Sequence, residues 1–107
     1  MADFMNPFIG MTPDRKLTAR ELTRAIRLAL AAEHEAIHLY ECLADASDHP
    51  VAAGLFQEIA DEERDHVGEF HELLRMLIPD EQTRLDRGAK EVRELLIAQG
   101  KTKPKRK

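Results

Sequence analysis

Three residues in this chain are of types that bind metal and stand at spacings that can bring them together: Glu33, Glu63 and His66. Glu63 and His66 are three positions apart, so on a helix they lie one turn apart and point the same way. They interrupt an apolar rhythm in steps of three and four, Phe56, Ile59, Glu63, His66, Phe70, Leu73, Leu77, which predicts the core-facing stripe of a helix. Glu33 interrupts a second such stripe, Leu22, Ile26, Ala29, Glu33, Ile37, Tyr40. An ionised carboxylate left dry and unpaired is strongly unfavourable, so each inward Glu needs water, a neutralising partner or a cation beside it. Two helices with inward Glu, one of them in a Glu-x-x-His, form the pattern of a carboxylate-bridged metal site in a helix bundle. The plainer alternative is a buried Glu63–His66 pair that satisfies itself or an Arg, without metal.

The elements that must position these residues are legible from their ends. Thr18 to Glu21 matches a Thr-x-x-Glu capping box, and a first helix is expected from there to about Ala46. Ser47-Asp48-His49-Pro50 breaks it, because Pro restricts its predecessor and suits the first turn of the next helix. A second helix is expected from Pro50 to about Ile78, ending at Pro79. Each would hold about 28 residues and span roughly 42 Å, the length of a bundle rather than of a small globule. The short loop makes them antiparallel neighbours. Asp80 is positioned to cap a third, shorter helix from Glu81 to about Gln99, which Gly88 weakens by about 1 kcal/mol relative to Ala. Gly100 ends it. The chain thus divides into an extended arm with sticky side chains over 1–16, a helical domain over 17–99, and a basic, disordered tail over 100–107. The fold class is all-α: a long two-helix hairpin plus a short carboxyl-terminal helix.

One chain supplies Glu33, Glu63 and His66 on its stripes, half of what a two-metal carboxylate site in a bundle uses. Two copies about a twofold axis would supply the rest and cover the stripes that a lone hairpin leaves bare. Carboxylate oxygen with imidazole and no thiolate suits divalent iron or manganese better than a soft metal.

Glu-x-x-His alone is common in a sequence that is 34% charged. Specificity comes from Glu33, Tyr40 seven residues later on the same face, and Glu63-x-x-His66 together. The runs Glu33-His34-Glu35-Ala36-Ile37-His38-Leu39-Tyr40-Glu41 and Phe56-Gln57-Glu58-Ile59-Ala60-Asp61-Glu62-Glu63-Arg64-Asp65-His66 look like the iron-binding half of rubrerythrin and other ferritin-like proteins. A single half followed by a short third helix resembles the encapsulated ferritin-like proteins, over roughly residues 17 to 97. The resemblance implies a ferritin-like four-helix bundle formed by two chains. It also implies a di-iron ferroxidase site between them that oxidises Fe(II) with dioxygen, in a ring of dimers within an encapsulin shell that stores the mineral. By position, Glu63 would bridge both irons, with Glu33 and His66 as terminal ligands and Tyr40 beside the centre. Glu35 would belong to an outer site through which metal enters. The second glutamate of that outer site falls at Ala32 here, so the site is weakened or rebuilt from other residues.

Composition bounds the alternatives. The single Cys42 rules out an intramolecular disulfide framework and fits a reducing cytoplasm, within which the resemblance implies an encapsulin nanocompartment. It also rules out the four-cysteine iron site of rubrerythrin, which disfavours a second reading as a peroxide reductase. A third reading is a metal-free assembly module whose acids face a hydrated interface. No stretch approaches twenty uncharged apolar residues, so no membrane span is expected. The tail holds five of the 16 basic residues. Without them, residues 1–100 carry 11 basic against 20 acidic side chains, a balance of −9 against −4 for the whole chain. Such a body attracts cations and repels nucleic acid. His34 and His38, one turn apart, form a further candidate chelating pair, although flank histidines are usually plain surface residues. The basic carboxyl end has no short apolar shell-docking peptide, which leaves that role to a fusion or to the amino-terminal arm.

Overall fold

A computed structural model describes residues 14–100; most of the expected arm and all but Gly100 of the expected tail lie outside the described residues. Three helices occur among the described residues, α1 Ala19–Ala46, α2 Pro50–Leu77 and α3 Glu81–Ala98, without strands. The described chain divides into two compact units, one reaching Leu77 and the other beginning at Ile78.

The first unit is the antiparallel hairpin of α1 and α2, which pack along each other. Helix α1 starts where its capping box dictates. Thr18 Oγ1 accepts from the Glu21 amide at 3.1 Å, and a Glu21 carboxylate oxygen accepts from the Thr18 amide at 2.9 Å. Glu21 also takes a two-pronged bond from Arg15, at 2.7 and 2.8 Å, which ties the residues before the helix to its first turn. These bonds, Arg15's first and the Thr18 amide's second, lower the Glu21 carboxyl to about 2. A depressed carboxyl contributes stability above its unfolded pKa and loses it as pH falls through the folded one. Glu21→Gln is therefore expected to lower the melting temperature at pH 7, the gap narrowing as pH falls below the ordinary carboxylate range and closing only as pH falls through about 2. Paired thermal melts across that range check this; a constant gap would mean that the ionised carboxylate is not the stabilising group.

The turn into α2 uses His49 in a way its sequence did not advertise. Its backbone carbonyl accepts from the Ala53 amide at 2.9 Å, and its imidazole Nδ1 accepts from the Ala52 amide at 3.3 Å, so a histidine side chain caps the helix that Pro50 opens.

The core of this unit is thin. Ile26 and Leu30 of α1 and Ala60 and Leu74 of α2 are its buried apolar residues, Ala60 and Leu74 being wholly shut from solvent. On α2 the buried line is therefore rotated from the expected stripe. Phe56, Ile59, Glu63 and Phe70 are half-buried, whereas His66, Leu73 and Leu77 are exposed. One helix neighbour covers only part of a stripe this wide. The remainder, with Leu39, Val51, Leu55 and Met76, stays open, Val51 at 73% and Met76 at 68%. Among the described residues, no helix is long and apolar enough to cross a membrane.

In the second unit, α3 runs through Gly88 to Ala98 and is followed, after Gln99, by Gly100, whose φ of 68° is the left-handed conformation that favours glycine after a helix. The expected cap by Asp80 does not form. Its carboxylate lies 3.5 Å from Arg84 Nε, one turn on, and makes no side-chain bond to the helix start. A charged partner at i+4 competes with the amide for the same oxygens. From Gln82 onward every described residue of α3 is exposed, including Leu85, Val92, Leu95, Leu96 and Ile97.

Candidate metal centre

Glu33 on α1 and Glu63 and His66 on α2 are brought together across the hairpin. Their ligand atoms, one from each, all lie within 4.8 Å of one another. His66 Nδ1 stands between the two acids, 3.1 Å from Glu33 Oε2 and 3.1 Å from Glu63 Oε1. The cross-helix contact needs Glu33 to sit opposite the Glu63–His66 turn, and the antiparallel packing of two helices of 28 residues supplies that register. The carboxylate side chains are 20% and 17% exposed and the imidazole 48%, so the group is walled on the hairpin side and open on the other.

Two carboxylates this close repel each other unless a positive charge stands between them. The His66 imidazole, when protonated, supplies that charge. The hydrogen bond to Glu33 raises the His66 pKa above the ordinary imidazole value, and the charges of Glu33, Glu63 and Glu69 add to it against partial desolvation. Glu69 was not among the expected site residues; its spacing, one turn beyond His66, was the available signal.

The donor set fits a hard or borderline divalent cation. Oxygen and nitrogen ligands at about 2.1 Å from a metal lie no more than roughly 4.2 Å from one another, so atoms already within 4.8 Å need only small rotamer adjustments to converge. Two carboxylates and an imidazole suit iron or manganese more than a soft ion. Among the described residues this is the one group of three or more such ligands.

The other expected residues are placed differently. Tyr40 lies seven residues beyond Glu33 on the same side of α1 and stacks on Phe56 of α2, ring centroids 6.3 Å apart and planes at 14°. Glu35 is exposed and outside the three-residue group; two positions from Glu33 is about 200° round the helix. His34 and His38 are both exposed, and His38 faces Cys42.

A helical hairpin whose two inward glutamates meet a histidine belongs to the class of ferritin-like carboxylate proteins. The comparisons agree with that class. A crystal structure of the encapsulated ferritin domain from Pyrococcus furiosus superposes with a TM-score of 0.77 at 40% identity, covering 86% of this chain and 93% of that one. The encapsulin nanocompartment cargo protein EncC of Myxococcus xanthus is 45% identical over 76 residues, 71% of this chain and 58% of that protein. A ferritin-like–encapsulin shell fusion protein of Pyrococcus furiosus is 41% identical over 91 residues, 85% of this chain and 26% of the fusion. The chain thus spans little more than half of one of these curated relatives and about a quarter of the other. It belongs to the rubrerythrin family, whose profile matches residues 22–102.

Proposed function

We propose that the chain is a ferroxidase, a protein that takes up Fe(II) as substrate and passes its electrons to dioxygen, working between two copies of the chain inside an encapsulin shell. The observation that carries this reading is the convergence of Glu33, Glu63 and His66 on one point of an open hairpin face. The names of the relatives, encapsulin cargo and shell fusion, support the compartment.

Each side chain has a task in this reading. Glu33 and Glu63 supply negative charge that draws Fe(II) to the open side of the group. His66 turns a ring nitrogen to the incoming ion, and any proton held there goes to solvent. Glu63, with two oxygens, is the bridge between two irons, while Glu33 and His66 are terminal ligands. A second copy contributes the same three residues across a twofold axis and closes the open side. Dioxygen then gains two electrons and two protons while two Fe(II) lose one electron each.

In this reading Tyr40, seven residues along α1 from Glu33, tunes oxidation without holding iron. Because its ring stacks on Phe56, Tyr40→Phe keeps the packing and deletes the hydroxyl alone. The expected outcome is iron binding at the parent level with slower oxidation. Stopped-flow absorbance after mixing with Fe(II) in air, beside anaerobic iron titration, reads both, and unaltered oxidation would reduce Tyr40 to packing. Running the same assay with hydrogen peroxide in place of dioxygen tests the proposal as a whole. Preferred use of dioxygen supports the ferroxidase, preferred use of peroxide the peroxide-reducing alternative, and oxidation by neither at a rate above protein-free buffer overturns both.

A further inference from the structure

His38 and Cys42 stand one turn apart on α1, both exposed, with imidazole Nε2 3.8 Å from thiol Sγ. Neither belongs to the carboxylate group. At 100° per residue they lie about 140° and 180° round the helix from Glu33, on the side turned away from it. A tetrahedral zinc ion, with sulfur at about 2.3 Å and nitrogen at about 2.05 Å, sets those two atoms about 3.5 Å apart. The observed separation is within about 0.3 Å of that bite, a difference that a small side-chain rotation removes.

The surroundings favour a cation as well. From Leu28 to Glu63 the sequence has no Lys or Arg, so this part of α1 carries no basic side chain that would occupy the pair or repel an ion. Glu41 and Asp45 lie on the same exposed strip as His38 and Cys42. The last turn of α1 has no basic residue, leaving the negative end of its dipole uncompensated one turn from Cys42.

We propose that His38 and Cys42 form a two-point binding site for a thiophilic divalent cation, represented by zinc, separate from the iron-binding group. His34, one turn before His38, is an alternative partner for His38 and not a third ligand, because positions eight apart lie about 12 Å from each other along the helix axis. Water completes the coordination. Binding converts the Cys42 thiol to thiolate and releases one proton to solvent, with no change of oxidation state. The two sites sort metals by softness: thiolate with imidazole selects zinc, whereas carboxylates with imidazole accept iron. One helix thus carries a hard site on its hairpin face and a soft one on its outer face.

Because Cys42 is the chain's single cysteine, its reactivity reports this site even while zinc also occupies the carboxylate group. The experiment follows the reaction of the metal-stripped, phosphine-reduced full chain with an aromatic disulfide reagent as zinc chloride is added. Saturable protection is expected. His38→Ala should need at least about tenfold more zinc for the same protection, the usual lower bound for disturbing a metal site. Glu33→Ala should leave the protection curve where it was, and magnesium should not protect. Absence of protection, or protection undiminished in His38→Ala, overturns the two-point site. Protection that disappears with Glu33→Ala overturns its separateness.

Discussion

Glu63→Gln is expected to leave the hairpin folded and to abolish nearly all dioxygen-dependent oxidation of Fe(II), by at least about 100-fold, since disturbing even the outer partners of metal ligands costs roughly 10–100-fold. The amide keeps the size of the side chain and one oxygen. It removes the charge, and its nitrogen is a poor ligand. Glu63 is 17% exposed and lies 3.1 Å from His66, so the variant also withdraws one of the two acids that hold the imidazole. A terminal ligand can be replaced by water, whereas a bridging carboxylate engages both metals at once. In a site shared by two chains, each substituted copy removes one bridge, and the two cations face each other with two fewer negative charges between them. Stopped-flow absorbance gives the rate and anaerobic titration the number of irons held. Fewer irons and little oxidation are the expected pair of results, and oxidation at the parent rate would remove Glu63 from the bridging role. Circular dichroism separates this from unfolding: the helix signal of the variant is expected to match that of the parent.

The ends of α1 were legible because local chemistry sets them. Thr18 with Glu21 closes one end and Ser47 to Pro50 the other, and neither depends on tertiary contacts. Asp80 was read less well for the same kind of reason. Its carboxylate has two local partners of similar worth, the helix amides and Arg84, and a pattern of residue types does not rank them. The meeting of Glu33 with Glu63 and His66 was legible because three polar residues interrupt otherwise apolar stripes at matching depth in two antiparallel helices. What the periodicity could not give was the share of each stripe that the hairpin covers. It records where apolar side chains are kept, not which neighbour takes them. Leu74 and Ala60, just off the expected stripe, are the residues wholly buried, while Leu73 and Leu77 on it are open. The caps of Glu21 by Arg15 and of α2 by the His49 imidazole were invisible for a different reason, since both depend on side-chain rotamers in non-helical segments.

The open part of that stripe leads to the second large effect, an association of chains that iron strengthens. A hairpin with four buried apolar residues and exposed Leu73, Met76 and Leu77 leaves apolar surface that a second copy can cover. The Glu33, Glu63 and His66 group is partly open, the imidazole at 48%, and in the proposed reading three ligands are half of a two-iron site. If iron binds the pair and not the single chain, each ion at a hundredfold excess over its dissociation constant adds about 2.7 kcal/mol to association. Two ions together raise the association constant by roughly four orders of magnitude. Sedimentation velocity of the stripped protein, of the Fe(II)-loaded protein under nitrogen, and of the loaded protein after chelation should trace that shift in both directions. His66→Ala, which removes a ligand without touching the apolar surface, should keep the association of the stripped protein and lose the part that iron adds. A chain that sediments as the same monomer in every state would overturn the shared site. Association that is equally strong with and without iron would show instead that the apolar surface alone builds the pair and that the metal enters an interface already made.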